Sequence, residues 1–485
     1  MNQADLIALM PILILIVAVA AMMLQIAWDR RHVITAGMAM GACAVALASL
    51  PSATPEGARR VTSLLVIDGY ALFYMGVILT TSLAVVAMSL PYLLMRPSDE
   101  NQPEEFYVLL LLAAIGACVL VAADHAASFF LGLELISLSL YGLIGYLRAR
   151  LRSLEAAIKY LVLSAASSAF LLFGLALLYG HNGTMEFSRM GTLQRIEDGV
   201  SLTVLAAFGF ILIGVGFKLG VAPFHMWAPD VYQGAPAPVA AFVATCSKAA
   251  VFALLLRLTV AMDLERHTVF WNLIAIVAVL SMFGGNLLAL LQSDVKRILA
   301  YSSIAHLGYA LVAFLAGGSL AVESVTVYLT AYVLTSLGAF TVVALLSTSR
   351  EDADSLERYQ GLFWRRPWMS GAMTVMLLSL AGIPLTVGFI GKFYAIAAGV
   401  GSGLWVLLII LVTNSVIGLF YYLRILVAML QPASSATQPL GGRADSRGLW
   451  IGGTSLAVVT LLTLWIGVNP EPLIRVVRMV VVGKL

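Results

Sequence analysis

GFKLGVAPFHMWAPD, residues Gly216 to Asp230, is the stretch on which the reading of this chain turns. It starts as an apolar run, carries a lone lysine at position 218, and meets Pro223 five residues later. Proline removes a backbone donor and clashes with the preceding turn, so a helix here is interrupted. In a membrane the freed carbonyls and amides are tolerated only beside protein or a water-filled cavity, and a broken helix next to a charge marks an ion site. A second stretch repeats the arrangement: AGIPLTVGFIGKFY, Ala381 to Tyr394, places Pro384 eight residues before Lys392.

Outward from these two stretches the chain is apolar almost everywhere. Of its 485 residues 61% are hydrophobic and 11% charged, which is the composition of a polytopic membrane protein and not of a soluble globule. Apolar runs long enough to cross a bilayer occur near residues 6–27, 33–51, 68–95, 106–123, 126–147, 156–180, 204–228, 237–260, 269–291, 298–317, 321–347, 368–400, 403–430 and 449–468. The expected fold class is therefore an all-α polytopic membrane protein of about 14 transmembrane helices. The first run lacks a basic leader and a small-residue cleavage site and reads as a retained span.

The interruptions fall in the seventh and twelfth spans. Five is an odd number, so two successive five-span units, spans 4–8 and 9–13, enter the membrane from opposite faces as an inverted repeat. The corresponding division is an N-terminal three-helix segment (1–105), a first unit (106–260), a second, inverted unit (261–430), and a last helix with a short amphipathic tail (431–485). In that tail Arg475 and Arg478 stand at i and i+3, as on a helix lying along the membrane surface. An even span count puts both termini on one side. Fifteen basic residues against nine in the two sets of loops place the termini outside, which in a bacterium is the periplasmic side of the inner membrane.

Four charges are isolated at bilayer depth. Lys392 is the only charged residue between Arg366 and Arg424, and Glu134 is alone between Asp124 and Arg148. Lys218 and Lys248 are the only ones on either side of Asp230 between Asp198 and Arg257. A lysine at the centre of a span costs about 2.5 to 3.5 kcal/mol on insertion scales, so four such groups call first for a functional explanation. Lys248 lies ten residues after Pro238, about 15 Å along a helix and half of the hydrocarbon thickness. Lys218, Glu134 and His306 reach similar depths, so the array runs along the membrane plane.

A buried lysine keeps its proton beside a carboxylate and releases it when the carboxylate withdraws. Glu134 and Lys218 are expected to form such a switch, passing a proton to Lys248, then through His306 and water to Lys392. The competing reading for each lysine is a side chain that snorkels or satisfies helix carbonyls. His306, set among Tyr301, Ser302 and Ser303, reads equally as a relay or as a packing residue. Lys159, four residues after Glu155, reads as a local helix pair or as a proton-entry group. His225 and Asp230 at the break read as structural or capping groups.

Several chemistries find no support. Cys43, Cys118 and Cys246 are scattered without metal-ligand spacing, so no iron-sulfur cluster is expected on this chain alone. Dinucleotide, P-loop, zinc-protease and nucleophile-elbow motifs do not occur. A net charge of +3 does not suggest a nucleic-acid partner.

The block GFKLGVAPFHMWAPDVYQGAPAPVAAFVATCSKAA, Gly216 to Ala250, resembles the signature of the antiporter-like membrane subunits of proton-translocating NADH:quinone oxidoreductase, respiratory complex I. FFLGLELISLSLYGLIGY around Glu134, EAAIKYLVLSAASSAFLLFG around Lys159, LLQSDVKRILAYSSIAHLGY leading to His306 and LSLAGIPLTVGFIGKFY around Lys392 are similar to the same family. Among its three large types the chain most resembles the N type, also called subunit 2, in which a lysine stands at the twelfth-span position where the M type has a glutamate. The L type carries a long lateral helix after its core.

The resemblance implies broken seventh and twelfth helices and assigns Glu134, Lys218, Lys248 and Lys392 as the key ionisable residues. It implies a subunit without redox chemistry, whose partners carry NADH, FMN, iron-sulfur clusters and quinone. It also implies neighbours in the membrane arm: the antiporter-like M type and small subunits such as K. One departure is Leu385, where the family motif often has a second proline after Pro384. Two alternatives stay open at this point: a subunit of a multi-subunit sodium/proton antiporter, and a stand-alone solute transporter with a substrate-sized midplane pocket.

Overall fold

In hydrocarbon every backbone N–H and C=O must be satisfied within the chain, so each apolar run closes its own hydrogen bonds as a helix. The computed structural model describes residues 2–54, 57–96, 102–192, 201–349, 351–432 and 446–482. Among them twelve helices are long and apolar enough to cross a membrane. The N-terminal segment holds α1 (Met10–Trp28), α2 (His32–Ala48) and α3 (Gly69–Leu94). The first unit comprises α4 (Pro103–Val121), α5 (Ala126–Ile144), α6 (Leu151–Asn182), the broken pair α7a (Leu202–Leu219) and α7b (Trp227–Gly234), and α8 (Ala237–Met262). The second comprises α9 (Thr268–Leu290), α10 (Val295–Phe314), α11 (Gly318–Leu346), the broken pair α12a (Pro367–Ala381) and α12b (Val387–Gly401), and α13 (Trp405–Leu430). The last helix is α14 (Ser446–Val468). Adding the 17-residue α2 and the α12a/α12b pair to the twelve long helices makes the expected fourteen spans.

Both interruptions end their first half in the same way. Gly220 (φ 70°) and Gly382 (φ 84°) take the left-handed conformation that closes a helix, and their N–H groups return to the carbonyls of Gly216 and Leu378 at 2.9 and 3.0 Å. The seventh span, expected to run to residue 228, therefore stops as a helix at Leu219 and resumes at Trp227. Leu385 holds a φ of 71° in the second break, which proline, fixed near −65°, could not adopt. The departure from the double-proline motif and this backbone conformation thus go together.

Helix α8 is the centre of the molecule. It is buried from Ala237 to Thr259 and packs against α3, α4 and α11. Five residues before Lys248, at Val243–Ser247, it widens into a π turn, which shifts the helical register just ahead of the lysine. Helices α6 and α13 each present one face to the outside of the bundle instead, with apolar residues such as Val162, Phe173, Val406 and Phe420 exposed.

Each end of the bundle is tied by charge. At one end Asp352, after α11, accepts hydrogen bonds from Lys296 (2.8 Å), Arg96 (3.0 Å), Arg150 (3.2 Å) and the Tyr92 hydroxyl (2.7 Å). Lys296 also donates to the carbonyl of Ala235 at 2.7 Å, so the end of α7b is fixed to the same point. Burial alone would raise the Asp352 carboxyl; Lys296, Arg96 and Arg150 outweigh it and hold it below the usual carboxylate range. At the other end Arg257 makes a two-pronged contact with Asp68 (2.8 and 2.9 Å).

Among the described residues there is one element that the all-α expectation lacks. A short antiparallel hairpin, β1 (Arg59–Val61) with β2 (Leu65–Ile67), lies between α2 and α3 and bonds through Val66 N–H to the Ala122 carbonyl (2.8 Å). The tail is helical over Glu471–Val476 and π-helical over Val477–Val482. Arg475 and Arg478 are exposed as expected, but Ile474 and Val477 bury, and the turn packs on α3 and α11 with Arg478 paired to Glu323 (2.8 Å). Of the basic residues counted for orientation, Arg195, Arg350, Arg443 and Lys484 lie outside the described residues.

Candidate functional site

Glu134 projects from α5, and its carboxylate accepts a hydrogen bond from Ser168 of α6 at 2.5 Å. Lys218, at the last turn of α7a, donates to Ser137 (2.6 Å) and Ser164 (2.7 Å). In this conformation the ammonium of Lys218 is held by the two serines and makes no direct contact with the Glu134 carboxylate, the contact expected for the charged state of the switch. The reason is that Ser137 lies one turn beyond Glu134 on α5, and Ser164 and Ser168 stand one turn apart on α6, so hydroxyls fill the space between carboxylate and ammonium. Tyr141 donates to the same Ser164 at 2.9 Å.

Lys248 is fully buried and donates to Ser303 of α10 at 2.5 Å. Ser303 also receives the Tyr332 hydroxyl at 2.7 Å, and the Tyr232 ring lies 5.5 Å from the ammonium. The lysine abuts the first break, since a Cβ placed on Gly220 would be 3.6 Å from Lys248 Nζ. The Tyr332 ring packs against His306 at a tilt of 34°, ring centroids 5.6 Å apart.

His306 is 5% exposed and has both ring nitrogens engaged, Nδ1 with the Tyr328 hydroxyl (2.7 Å) and Nε2 with the Tyr422 hydroxyl (3.2 Å). Beside it is a cavity of about 10 Å³, bounded by Tyr328, Thr335, Ser379 and Gly388 and of the order a single water requires. Lys392, on α12b, bends back to the second break. It donates to the Ala381 carbonyl (2.8 Å) and to Ser415 of α13 (2.7 Å), and the Tyr309 ring lies 5.3 Å away.

The structure therefore brings Lys248 and His306 together through Ser303 and Tyr332, and holds Glu134, Lys218 and Lys392 on serine hydroxyls of neighbouring helices, while the serines at Lys218 and the serine at Lys248 share no hydrogen bond. The model matched by residues 123–418 is that of the family described as the transmembrane region of NADH:quinone oxidoreductase and Mrp antiporter subunits. NADH-quinone oxidoreductase subunit N of Ectopseudomonas mendocina is 50% identical over 481 residues, covering 98% of this chain and 96% of that one. The chain belongs to the NADH-quinone oxidoreductase subunit N family. A chain of respiratory complex I from Thermus thermophilus, solved with bound aureothin, superposes with a TM-score of 0.81 at 32% identity, covering 96% of this chain and 98% of that one. A chain of the Mrp complex from Dietzia superposes with a TM-score of 0.85 at 19% identity, covering 98% and 96%, which shows a shared fold.

In this subunit N family member the ionisable residues are only half of the site. Ser137, Ser164, Ser168, Ser303 and Ser415 were not singled out from sequence. A signal was present for some of them, because Ser137 follows Glu134 by three residues and Ser303 precedes His306 by three, the spacing of one helical face. Lys159 does pair with Glu155 (2.7 Å), but it also reaches Asp230 (2.8 Å), which in turn holds Arg297 (2.8 Å). Asp230 is thus an ion-pair acceptor tying α7b to α6 and α10, not a helix cap. No group of three or more His, Cys, Asp or Glu among the described residues is placed to hold a metal ion.

Proposed function

We propose that this chain is a non-redox, proton-translocating subunit in the membrane arm of NADH:quinone oxidoreductase. The observation that carries the proposal is the set from Glu134 to Lys392, whose ionisable groups, half-buried Glu134 and buried Lys218, Lys248, His306 and Lys392, are each held by a hydroxyl inside membrane-spanning helices. A hydroxyl both donates and accepts, so it can hand a proton on and reset. Glu134 and Lys218 load the file, Lys248 and His306 carry it, and Lys392 ends it. Withdrawal of negative charge from Glu134 destabilises the ammonium of Lys218 across the serines, because charge interactions strengthen where water is excluded.

NADH oxidation and quinone reduction, with FMN and iron-sulfur clusters, belong in this reading to other subunits. The neighbours are further membrane-arm subunits, among them the M and K types. The membrane is the bacterial inner membrane, with both termini on the periplasmic side. Support for that orientation comes from Arg96, Arg150 and Lys296 meeting at one end of the bundle, as an alternating fourteen-span chain requires.

A stand-alone solute transporter is disfavoured by the shape of the space. The cavity at His306 has room for about one water, while a cavity of about 600 Å³ between α2, α3, α11 and α14 is lined by apolar and hydroxyl side chains and touches none of the ionisable file. The deciding experiment reconstitutes the assembled oxidoreductase in liposomes and measures protons moved per NADH oxidised for Lys218→Met and Lys392→Met. Assembly is retained and proton movement falls in both; normal coupling in either variant removes that residue from the file. Sodium dependence of the same signal would favour the antiporter alternative.

A further inference from the structure

The second unit contains a buried polar cluster that the file does not use. Asn286 of α9 and Asn414 of α13 are both 0% exposed, and Tyr309 and Tyr421 beside them are 2% and 1% exposed. The Asn286 amide nitrogen donates to the Met282 carbonyl (2.9 Å) and the Tyr309 hydroxyl (2.8 Å) and lies 3.2 Å from Asn414 Oδ1. Its oxygen accepts from the Tyr421 hydroxyl at 3.0 Å. Asn414 donates to the Ile410 carbonyl (3.0 Å). Gly418, one turn beyond Asn414, leaves the space, since a Cβ there would stand 3.2 Å from Asn286 Oδ1. Three helices, α9, α10 and α13, therefore meet on one amide.

Each arm of this cluster ends on a partner of the file. Asn414 is followed directly by Ser415, which accepts from Lys392. Tyr309 presents its ring to Lys392 (5.3 Å) and to His306 (5.5 Å between ring centroids). Tyr421 packs on Tyr422 with centroids 4.4 Å apart, and the Tyr422 hydroxyl contacts His306 Nε2. Removing the amide frees α13 to turn or slide against α9 and α10, and with it Ser415 and Tyr422 together.

We propose that Asn286 is a positioning residue for the last proton transfer, holding Ser415 and Tyr309 at Lys392 and Tyr422 at His306. The inference rests on the reading of His306 and Lys392 as proton carriers. It assigns a task to a helix, α9, that has no ionisable side chain of its own.

The test uses the whole oxidoreductase in liposomes, with NADH-driven proton movement followed from pH 6 to 9 for Asn286→Leu, Tyr421→Phe and Lys392→Met. Asn286→Leu removes the whole set of amide hydrogen bonds, lowers proton movement roughly tenfold and displaces the pH profile. Tyr421→Phe, which keeps the ring and removes one hydroxyl, displaces the profile in the same direction by less. An Asn286→Leu enzyme with reduced assembly and an unchanged pH profile per assembled complex overturns the proposal, as that is what mere helix packing would do. Should Asn286→Leu fail to assemble, an unmoved profile in Tyr421→Phe overturns it. Normal pumping by Lys392→Met sinks the underlying reading instead, and with it this inference.

Discussion

The two broken helices close alike and hold their lysines differently. Each break opens on a left-handed glycine, and in each an ammonium lies against that glycine, Lys248 at Gly220 and Lys392 at Gly382. Lys248 belongs to a different helix from its break and donates a hydrogen bond to the Ser303 hydroxyl. Lys392 belongs to the broken helix itself and donates hydrogen bonds to the Ser415 hydroxyl and to the Ala381 carbonyl, an acceptor at the negative end of α12a. A carbonyl accepts and cannot pass a proton on, whereas a hydroxyl does both. The same backbone device thus sits beside an ammonium held by a hydroxyl alone in one unit and by a hydroxyl and a carbonyl in the other.

Anchoring differs as well. The first break is followed by a helix end tied through Lys296 to Asp352, and its central helix is clamped at the far end by Arg257 and Asp68. The second break has Ser379 in its place: this hydroxyl accepts from the Gly388 N–H (3.0 Å) and meets Thr335 (2.9 Å). Charge holds the first break, and neutral hydrogen bonds hold the second.

The largest expected effect breaks this comparison at its strongest point. Asp352→Asn leaves Lys296 and Arg96 buried without a counter-charge, a loss of about 3 to 5 kcal/mol, so little assembled subunit is recovered from membranes. Because the folded carboxyl titrates below its unfolded value, its contribution is present above about pH 4 and disappears only as pH falls through the depressed folded value. Thermal melting of the wild type in detergent therefore shows no loss from this group between pH 7 and 5.

Next comes Ser303→Ala, which removes the hydroxyl that accepts from Lys248 and joins it to Tyr332. A hydrogen bond to a charged group is worth about 1.5 to 3 kcal/mol, so proton movement per NADH falls at least about tenfold with assembly intact. A smaller change would mean that Lys248 does not depend on the hydroxyl. Gly382→Ala and Gly220→Ala sharpen the contrast between the breaks. Both strain a positive φ by about 1 kcal/mol or more, but only at Gly382 would the new Cβ lie 2.7 Å from Lys392 Cδ, whereas at Gly220 the nearest side-chain atom is 3.5 Å away. Proton movement is expected to fall further in the first variant than in the second; equal losses would show that backbone strain alone matters. The smallest effect is Ser415→Ala, a decrease of a few-fold, because the Ala381 carbonyl still holds the ammonium.

Much of this was legible in the residues. Fourteen spans, the two breaks and the isolated Glu134, Lys218, Lys248 and Lys392 can be read directly, because hydropathy, proline and charge at bilayer depth act over one helix or less. The serines that α6 and α5 place around Glu134 and Lys218 were not legible, since they depend on how α5, α6 and α7a pack. Lys159 shows the same limit: its neighbour Glu155 is visible one turn away, but its contact with Asp230 is 71 residues distant.

By itself, then, the amino-acid order determined that this is a membrane bundle with buried ionisable groups at helix interruptions, since a lipid solvent leaves an apolar segment no choice but to close its own hydrogen bonds. Only the tertiary structure decided which hydroxyl each ammonium meets, that Asp352 gathers three cations from segments far apart in the chain, and that Asn286 braces α13. Those outcomes depend on distances of a few ångströms between side chains on different helices, where packing sets the geometry and no local rule of sequence applies.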